Sequence, residues 1–424
     1  MNYQKQEIKQ GITVHQIHTE NFKTNLYAIF LAIPLEKDKI TSDALIGAVL
    51  RRGTQKFQTQ EAISKELEGM YGASFNCGIE KTGDNHIIKF YLETLSEEFL
   101  PEPEKLNQKC LNILFDIAFN PLKVNGTFKP EYVEGEKKNL KQIIESKIDN
   151  KAKYAYERCI EEMYKNEPYG LYKFGYVEDI DAITSENLYR HYQNLLAECK
   201  IDIFCSGRLN EQETIKQIQE NENIQKLQAR NPKYVINNEV TERKEPAKEN
   251  TVEESMQITQ GKLVLGLDIQ NTEENSRFIA SVYNAILGGG ANSKLFQNVR
   301  EKQSLAYTAG SNYLRTKNSI FIRCGIEIAN YQKALSTIKQ QLTDMANGEF
   351  SEEDLNNAKR LIVASVDAIT EEQDTEITYY YGQELADRFI SIEDYKKHIL
   401  EATKEQVVEL AKTVQINIVY FLKD

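Results

Sequence analysis

Histidine is scarce. There are five in 424 residues, and none stand together at the spacing of a helical zinc motif. His15 and His18 are three apart in a strand-like stretch, so they face opposite sides; His86, His191 and His398 stand alone. Cysteine is sparse too: Cys77, Cys110, Cys159, Cys199, Cys205 and Cys324 form no CxxC pair. In a chain this long, scattered thiols fit a reducing compartment and free side chains in cores. Positive charge is in deficit, 52 Lys and Arg against 64 Asp and Glu, for a net −12. That excludes the basic footprint of a nucleic-acid binder. No segment reaches the roughly 18 uninterrupted apolar residues of a membrane helix. The opening MNYQKQEIKQGITV lacks the apolar core of a signal peptide. The expectation is a soluble, cytoplasmic chain with neither nucleic acid nor membrane as partner.

Hydrophobic residues make up 41%, enough for two or more domains with real cores. NLYAIFLAIPL (25–35) reads as a strand, and helical stretches follow over 42–53 and 59–70. A hairpin turns on Gly83-Asp84-Asn85. Helices are expected over 104–119, 132–164 and 185–196, then a buried strand over 201–207. The stretch 222–260 is mostly polar, carries Pro232 and Pro246, and reads as a linker. The order then recurs: strand 261–269, a helix stopping on glycine, a helix 292–302, and a hairpin turning near 316–318. Helices 331–346 and 351–371 and a strand 416–422 complete it. This is the pattern of a duplication. The predicted class is α+β, two homologous domains, each an antiparallel sheet packed with helices. The boundaries fall at 1–210, a helix and polar linker at 211–257, and 258–424.

The stretch ILGGGANSKLFQNVREKQSLAY (286–307) stands out. It is no P-loop, because Lys294 follows Ser293 and not glycine. It is no dinucleotide fingerprint, because a third glycine is missing and a helix precedes it. Glycines can end the helix at Leu287, with Asn292 or Ser293 capping the next. Three are more than a turn needs, and such a run lets another backbone approach closely. Arg300 falls near a helix end and Tyr307 at a strand start. A guanidinium and a phenol converging there would hold a carbonyl oxygen or an oxyanion. The alternative is that Arg300 pairs with a surface acid and Tyr307 packs in a core.

These residues resemble the pitrilysin and mitochondrial processing peptidase family of inverzincin metallopeptidases. Its signature is a glycine stretch, S-x-L-F/Y and R-E-x-x-x-L-x-Y, matched here by Gly288, Gly289, Gly290, Ser293, Leu295, Phe296, Arg300, Glu301, Leu305 and Tyr307. The resemblance covers the whole chain and implies two homologous α+β halves. It also implies a zinc motif, H-x-x-E-H, in the first half. Counting back from Gly53-Thr54 places that motif on Ala44 to Ala48. Ala44 and Ala48 stand at the histidines and Gly47 at the glutamate that activates water. The third ligand falls near Gln142 or Ile143, with Glu145 about two residues off. Ala44, Gly47 and Ala48 offer neither ligand nor base and Glu145 is out of register, so no metal or other cofactor is expected in this chain.

The chain therefore resembles the zinc-less, YmfF-like branch found in bacteria. The resemblance implies a heterodimer. A homologous subunit with an intact HxxEH would carry the zinc, and this chain would bind extended peptide along Gly288–Gly290 and supply Arg300 and Tyr307 in trans. The glycine loop is much shorter than that of the processing peptidase's zinc-less subunit, so that subunit's substrate-sensing role does not carry over. The alternative function is a peptide-binding or scaffold protein of the same fold with no proteolytic role.

Overall fold

The computed structural model of the chain describes residues 2–227, 230–236, 249–271, 273 and 275–424. It opens with strands β1 (Tyr3–Lys9), β2 (Ile12–His18) and β3 (Thr24–Pro34), then helices α1 (Ile40–Leu50) and α2 (Gln60–Gly69). The hairpin β4 (Ser74–Thr82) and β5 (Asn85–Leu95) precedes α3 (Leu106–Phe119) and a short ribbon, β6 (Lys123–Val124) and β7 (Thr127–Phe128). Helices α4 (Pro130–Glu145), α5 (Lys151–Met163), α6 (Val177–Ile180) and α7 (Ser185–Glu198) lead to β8 (Lys200–Gly207). Helices α8 (Glu211–Glu220) and α9 (Glu222–Lys226) come before β9 (Asn250–Ser255) and β10 (Gly261–Ile269). Helix α10 (Ser276–Gly288) is followed by the hairpin β11 (Ala306–Leu314) and β12 (Ser319–Ile326). Helices α11 (Tyr331–Ala346), α12 (Glu352–Asp367), α13 (Gln373–Leu385), α14 (Ile392–Glu401) and α15 (Lys404–Lys412) precede β13 (Val414–Lys423).

Packing divides the chain into two units. One holds Met1–Ser146, Leu171–Ile236 and Thr370–Leu385; the other holds Lys147–Gly170, Asn237–Ile369 and Ala386–Asp424. Helix α5 therefore belongs to the second unit and α13 to the first. The two helices stand at equivalent places in the repeat, each following a 16-residue helix and each 13 residues long.

The first unit is built on a six-stranded sheet, β1-β2-β8-β3-β5-β4. The second has five strands, β11-β12-β10-β13-β9. Read from β9, its order matches β2-β8-β3-β5-β4 strand for strand. In each sheet the pairs are antiparallel except one, β2 with β8 and β13 with β9. The duplication read from the sequence thus extends to topology, and each sheet carries one parallel pair beside its antiparallel ones.

Strand β3 is an almost unbroken apolar run because both its faces are covered. Tyr27, Ile29 and Leu31 face a core with Leu45 of α1, Phe115 of α3 and Tyr192 of α7. Ala28 and Phe30 face α13, where Phe30 and Tyr381 stack with ring centroids 4.1 Å apart. The second sheet repeats this. Leu263, Leu265 and Leu267 pack with Phe278 and Tyr283 of α10, while Val264 and Phe321 pack with Cys159, Ile160 and Met163 of α5.

Three expectations shift. The helical stretch expected over 132–164 is divided by a tight turn, Ser146–Ile148, into α4 and α5. The helix expected to reach Glu371 ends at Asp367, followed by a 3-10 turn over Ala368–Glu371. The stretch read as a linker contains β9, which pairs in parallel with β13; edge pairing uses backbone groups and asks little of polar side chains. Residues 237–248 of that stretch, with Pro246, lie outside the described residues. All six cysteines are free, five of them buried. His15 is buried and His18 exposed, on opposite sides of β2. Among the described residues no helix is long and apolar enough to cross a membrane.

Candidate functional site

Helix α1 is buried almost all round, the habit of a helix running through a core. Its Ala44, Gly47 and Ala48 line a cavity of about 570 Å³ in the first unit, and Gln142 and Ile143 of α4 line the same cavity. The four motif positions read from the sequence therefore meet around one space; Glu145 is not on its wall. Two lining side chains are of the types that zinc takes, Cys77 and Glu136. The Cys77 thiol donates to the Gly47 carbonyl at 3.2 Å, and burial pushes it up to about 12, so it is no thiolate. Glu136 is 2% exposed; its Oε2 accepts from Asn139 at 3.0 Å and its Oε1 lies 3.4 Å from Arg52. A protein zinc site takes about three ligands from His, Cys or carboxylate. This donor set does not fit zinc.

Among the described residues, His15, Asp202 and Glu384 form the one group of close-set potential metal ligands. A lysine already takes the cation's place. The Lys200 ammonium bonds Asp202 and lies 3.0 Å from Glu384, with Lys5 at 2.7 Å from the same carboxylate. His15 reaches Asp202 through Nε2 and the Tyr3 hydroxyl through Nδ1, both at 2.9 Å. Burial raises the Asp202 carboxyl, but Lys200 and His15 outweigh it and hold it below its ordinary range.

His86 and His191, which stand alone in the sequence, converge on Asp43, the residue before Ala44. His191 Nε2 lies 2.6 Å from its carboxylate and His86 Nδ1 3.5 Å. Burial raises that carboxyl too, and the two imidazoles bring it below its ordinary range. No sequence signal joins these residues, which come from α1, β5 and α7.

In the second unit α10 ends on Gly288, with Gly289 as its cap. None of the three glycines has positive φ, so the turn does not require them. The requirement at Gly288 is contact: a Cβ there would lie 2.4 Å from Ser311 Oγ and 2.5 Å from its backbone nitrogen. The backbone that approaches is the chain's own β11. Gly288 also floors a cavity of about 500 Å³ beside β11, whose described lining does not include Gly289 or Gly290.

The helix expected over 292–302 contains a π-helical turn, Phe296–Glu301, a form that recurs at functional sites. It carries Arg300, exposed, with its guanidinium 4.5 Å from the Phe296 ring centroid and Nε 3.5 Å from Glu301. Tyr307 is the extra residue of a β-bulge between Ala306 and Thr308, and bulges re-aim a side chain. It is 60% exposed, and its hydroxyl bonds no described residue. Tyr307 is therefore not a core residue. Arg300 does have an acid beside it, and no hydrogen bond joins it to Tyr307.

Comparison with known proteins bears on these features together. Residues 182–362 match the family described as the peptidase M16 inactive domain. The chain is 35% identical over 414 residues to the probable inactive metalloprotease YmfF of Bacillus subtilis, covering 97% of this chain and 96% of that protein. A conserved protein from Enterococcus faecalis superposes with a TM-score of 0.89 at 26% identity, covering 100% of this chain and 99% of that one. A peptidase M16 inactive domain from Pseudomonas fluorescens superposes at 0.80 with 18% identity, covering 100% and 98%. With that identity across nearly its whole length, the chain belongs to the M16 metallopeptidase family, among its YmfF-like members.

Proposed function

We propose that the chain is a non-catalytic subunit of a heterodimeric zinc metallopeptidase. It binds extended peptide and supplies Arg300 and Tyr307 to the active site of a zinc-bearing, HxxEH-containing homologue. The observation that supports this most is an asymmetry. The motif helix offers no zinc ligand, while Tyr307, placed on a bulge, turns to solvent at 60% exposure a phenol with no bonding partner among the described residues. Peptide hydrolysis builds negative charge on the scissile carbonyl oxygen, and a donor aimed at that oxygen lowers the barrier. Each sheet also ends in a strand with one neighbour, β4 in one and β11 in the other, and a free edge is where an extended peptide adds as a further strand.

The test is reconstitution. Mixed with a zinc-bearing homologue, the chain is expected to form a stable complex and raise peptide cleavage well above either protein alone. Complex formation without any cleavage would favour a second reading, a peptide-binding or scaffold protein. The stacking of Arg300 on Phe296 and its nearness to Glu301 favour that reading, since both contacts occupy the guanidinium inside the chain.

A further inference from the structure

The cavity that Gly288 lines runs along β11 and reaches the sheet face that α5 covers, at the point where that helix begins. Lys262 of β10 pairs with Gly325 of β12, and Arg323 of β12 pairs with Gly310 of β11. By strand alternation both cations share one face, opposite the Leu263, Leu265 and Cys324 core. Lys153 of α5 joins them, and no carboxylate is among the described residues lining the cavity. Lys153 has Glu157 at 3.9 Å. Lys262 bonds the neutral Gln260 side chain, and Arg323 lies 5.1 Å from the Tyr156 ring; neither has an ion pair among the described residues. Burial without a compensating acid lowers the Lys262 pKa. Three cations are thus gathered in a chain of net charge −12.

The fold does not demand this charge. In the first unit α13 stands where α5 stands in the second, and β4 with β5 where β11 with β12 stand. The equivalent cavity there is lined by Glu93, Glu371, Glu372 and Asp374, with Lys89 the one cation among its lining residues. The same location in two copies of one topology carries opposite charge. Sheet packing explains neither sign, and a ligand of opposite charge explains a cationic one.

We propose that the cavity of the second unit is an anion subsite for a carboxylate of a bound peptide, either an acidic side chain or the free C-terminus. The proposal rests on the peptide-binding reading above and adds the class of peptide. A strand added at the β11 edge sends alternate side chains to the α5 face, which places a carboxylate within reach of Lys262 and Arg323. The cationic helix start at Asn150, whose side chain accepts from the Lys153 backbone, adds to the same potential.

The test is fluorescence anisotropy on the full chain with extended peptides of one length and four compositions. One carries two glutamates and an amidated C-terminus, one the matching glutamines and a free C-terminus, one glutamines and an amide, and one lysines and an amide. At least one carboxylate peptide is expected to bind about tenfold more tightly than the neutral peptide, and the preference is expected to shrink as salt is raised. The carboxylate peptide that shows the preference identifies the source. Lys262→Gln with Arg323→Gln is expected to bring its affinity down to the neutral value, with the circular dichroism of the fold unchanged. Equal affinities for carboxylate and neutral peptides, or a preference that survives the double substitution, would overturn the subsite and leave peptide binding standing. Binding of none of the four would overturn both.

Discussion

The Cys77 thiol stands against the Gly47 carbonyl at 3.2 Å, a strand side chain filling the space beside helix α1. A Cβ on residue 47 would lie 3.2 Å from Cys77 Sγ and 3.2 Å from Ile88 Cγ2. Contacts that tight make the neighbours give way. Gly47→Glu is expected to destabilise the chain by about 1–3 kcal/mol through overpacking. Adding Cys77→Ala should recover part of the loss. Urea unfolding reads both, and a Gly47→Glu midpoint equal to wild type would show that the site opens at no cost.

The donor set around that cavity also predicts a metal result. The purified chain should hold no stoichiometric zinc and hydrolyse no peptide alone, and chelator should leave its melting temperature unchanged. Elemental analysis finding one zinc per chain after dialysis would sink this.

Glu376 sits in α13, 1% exposed, with no hydrogen bond to Oε1 among the described residues. Burial pushes its carboxyl up to about 7. A carboxyl raised in the folded state binds its proton more tightly there than in the unfolded chain. Its contribution is complete below the unfolded value and is lost as pH rises through about 7. Glu376→Gln removes the titration. The stability of that variant relative to wild type should rise between pH 5 and pH 8, by at most about 3 kcal/mol. Parallel stability profiles for the two proteins across that range would contradict this.

Local pattern made much of this fold readable. The hairpin at β4 and β5 announces itself by Gly83-Asp84, and α12 by Ser351 with Asp354, which do form a reciprocal cap. What could not be read depends on distance along the chain. Helices α5 and α13 are apolar on one stripe, and nothing local says which sheet the stripe covers. Strand β9 is hidden in NTVEES because an edge strand is held by backbone bonds. Asp43, His86 and His191 meet only because three elements pack. Counting from Gly53-Thr54 picks out Ala44, Gly47 and Ala48, and helical spacing is why these three share one cavity wall. The glycines were legible as a feature but not in cause: Gly288 answers to Ser311, a contact that the sequence does not show.

The last expectation concerns Tyr307 and Arg300. Both are exposed, and Tyr307 has no bonding partner among the described residues, so Tyr307→Phe should leave stability within about 0.5 kcal/mol. Arg300→Ala forfeits its stacking on Phe296, a cation–π contact worth roughly 0.5–1 kcal/mol at an exposed site. In a complex with a zinc-bearing homologue the two substitutions should behave otherwise. If each side chain meets the oxygen on which charge develops, its loss should cost about 2.7–4 kcal/mol of transition-state stabilisation, a drop in kcat of roughly a hundred- to a thousand-fold. Because the interaction strengthens only as charge develops, kcat should fall more than KM rises. Sedimentation would confirm that the complex still assembles, which separates a lost donor from a lost interface. Wild-type turnover from both variants would remove Arg300 and Tyr307 from the chemistry. The signature that carries them would then be a feature of the fold, and the scaffold reading would take the lead.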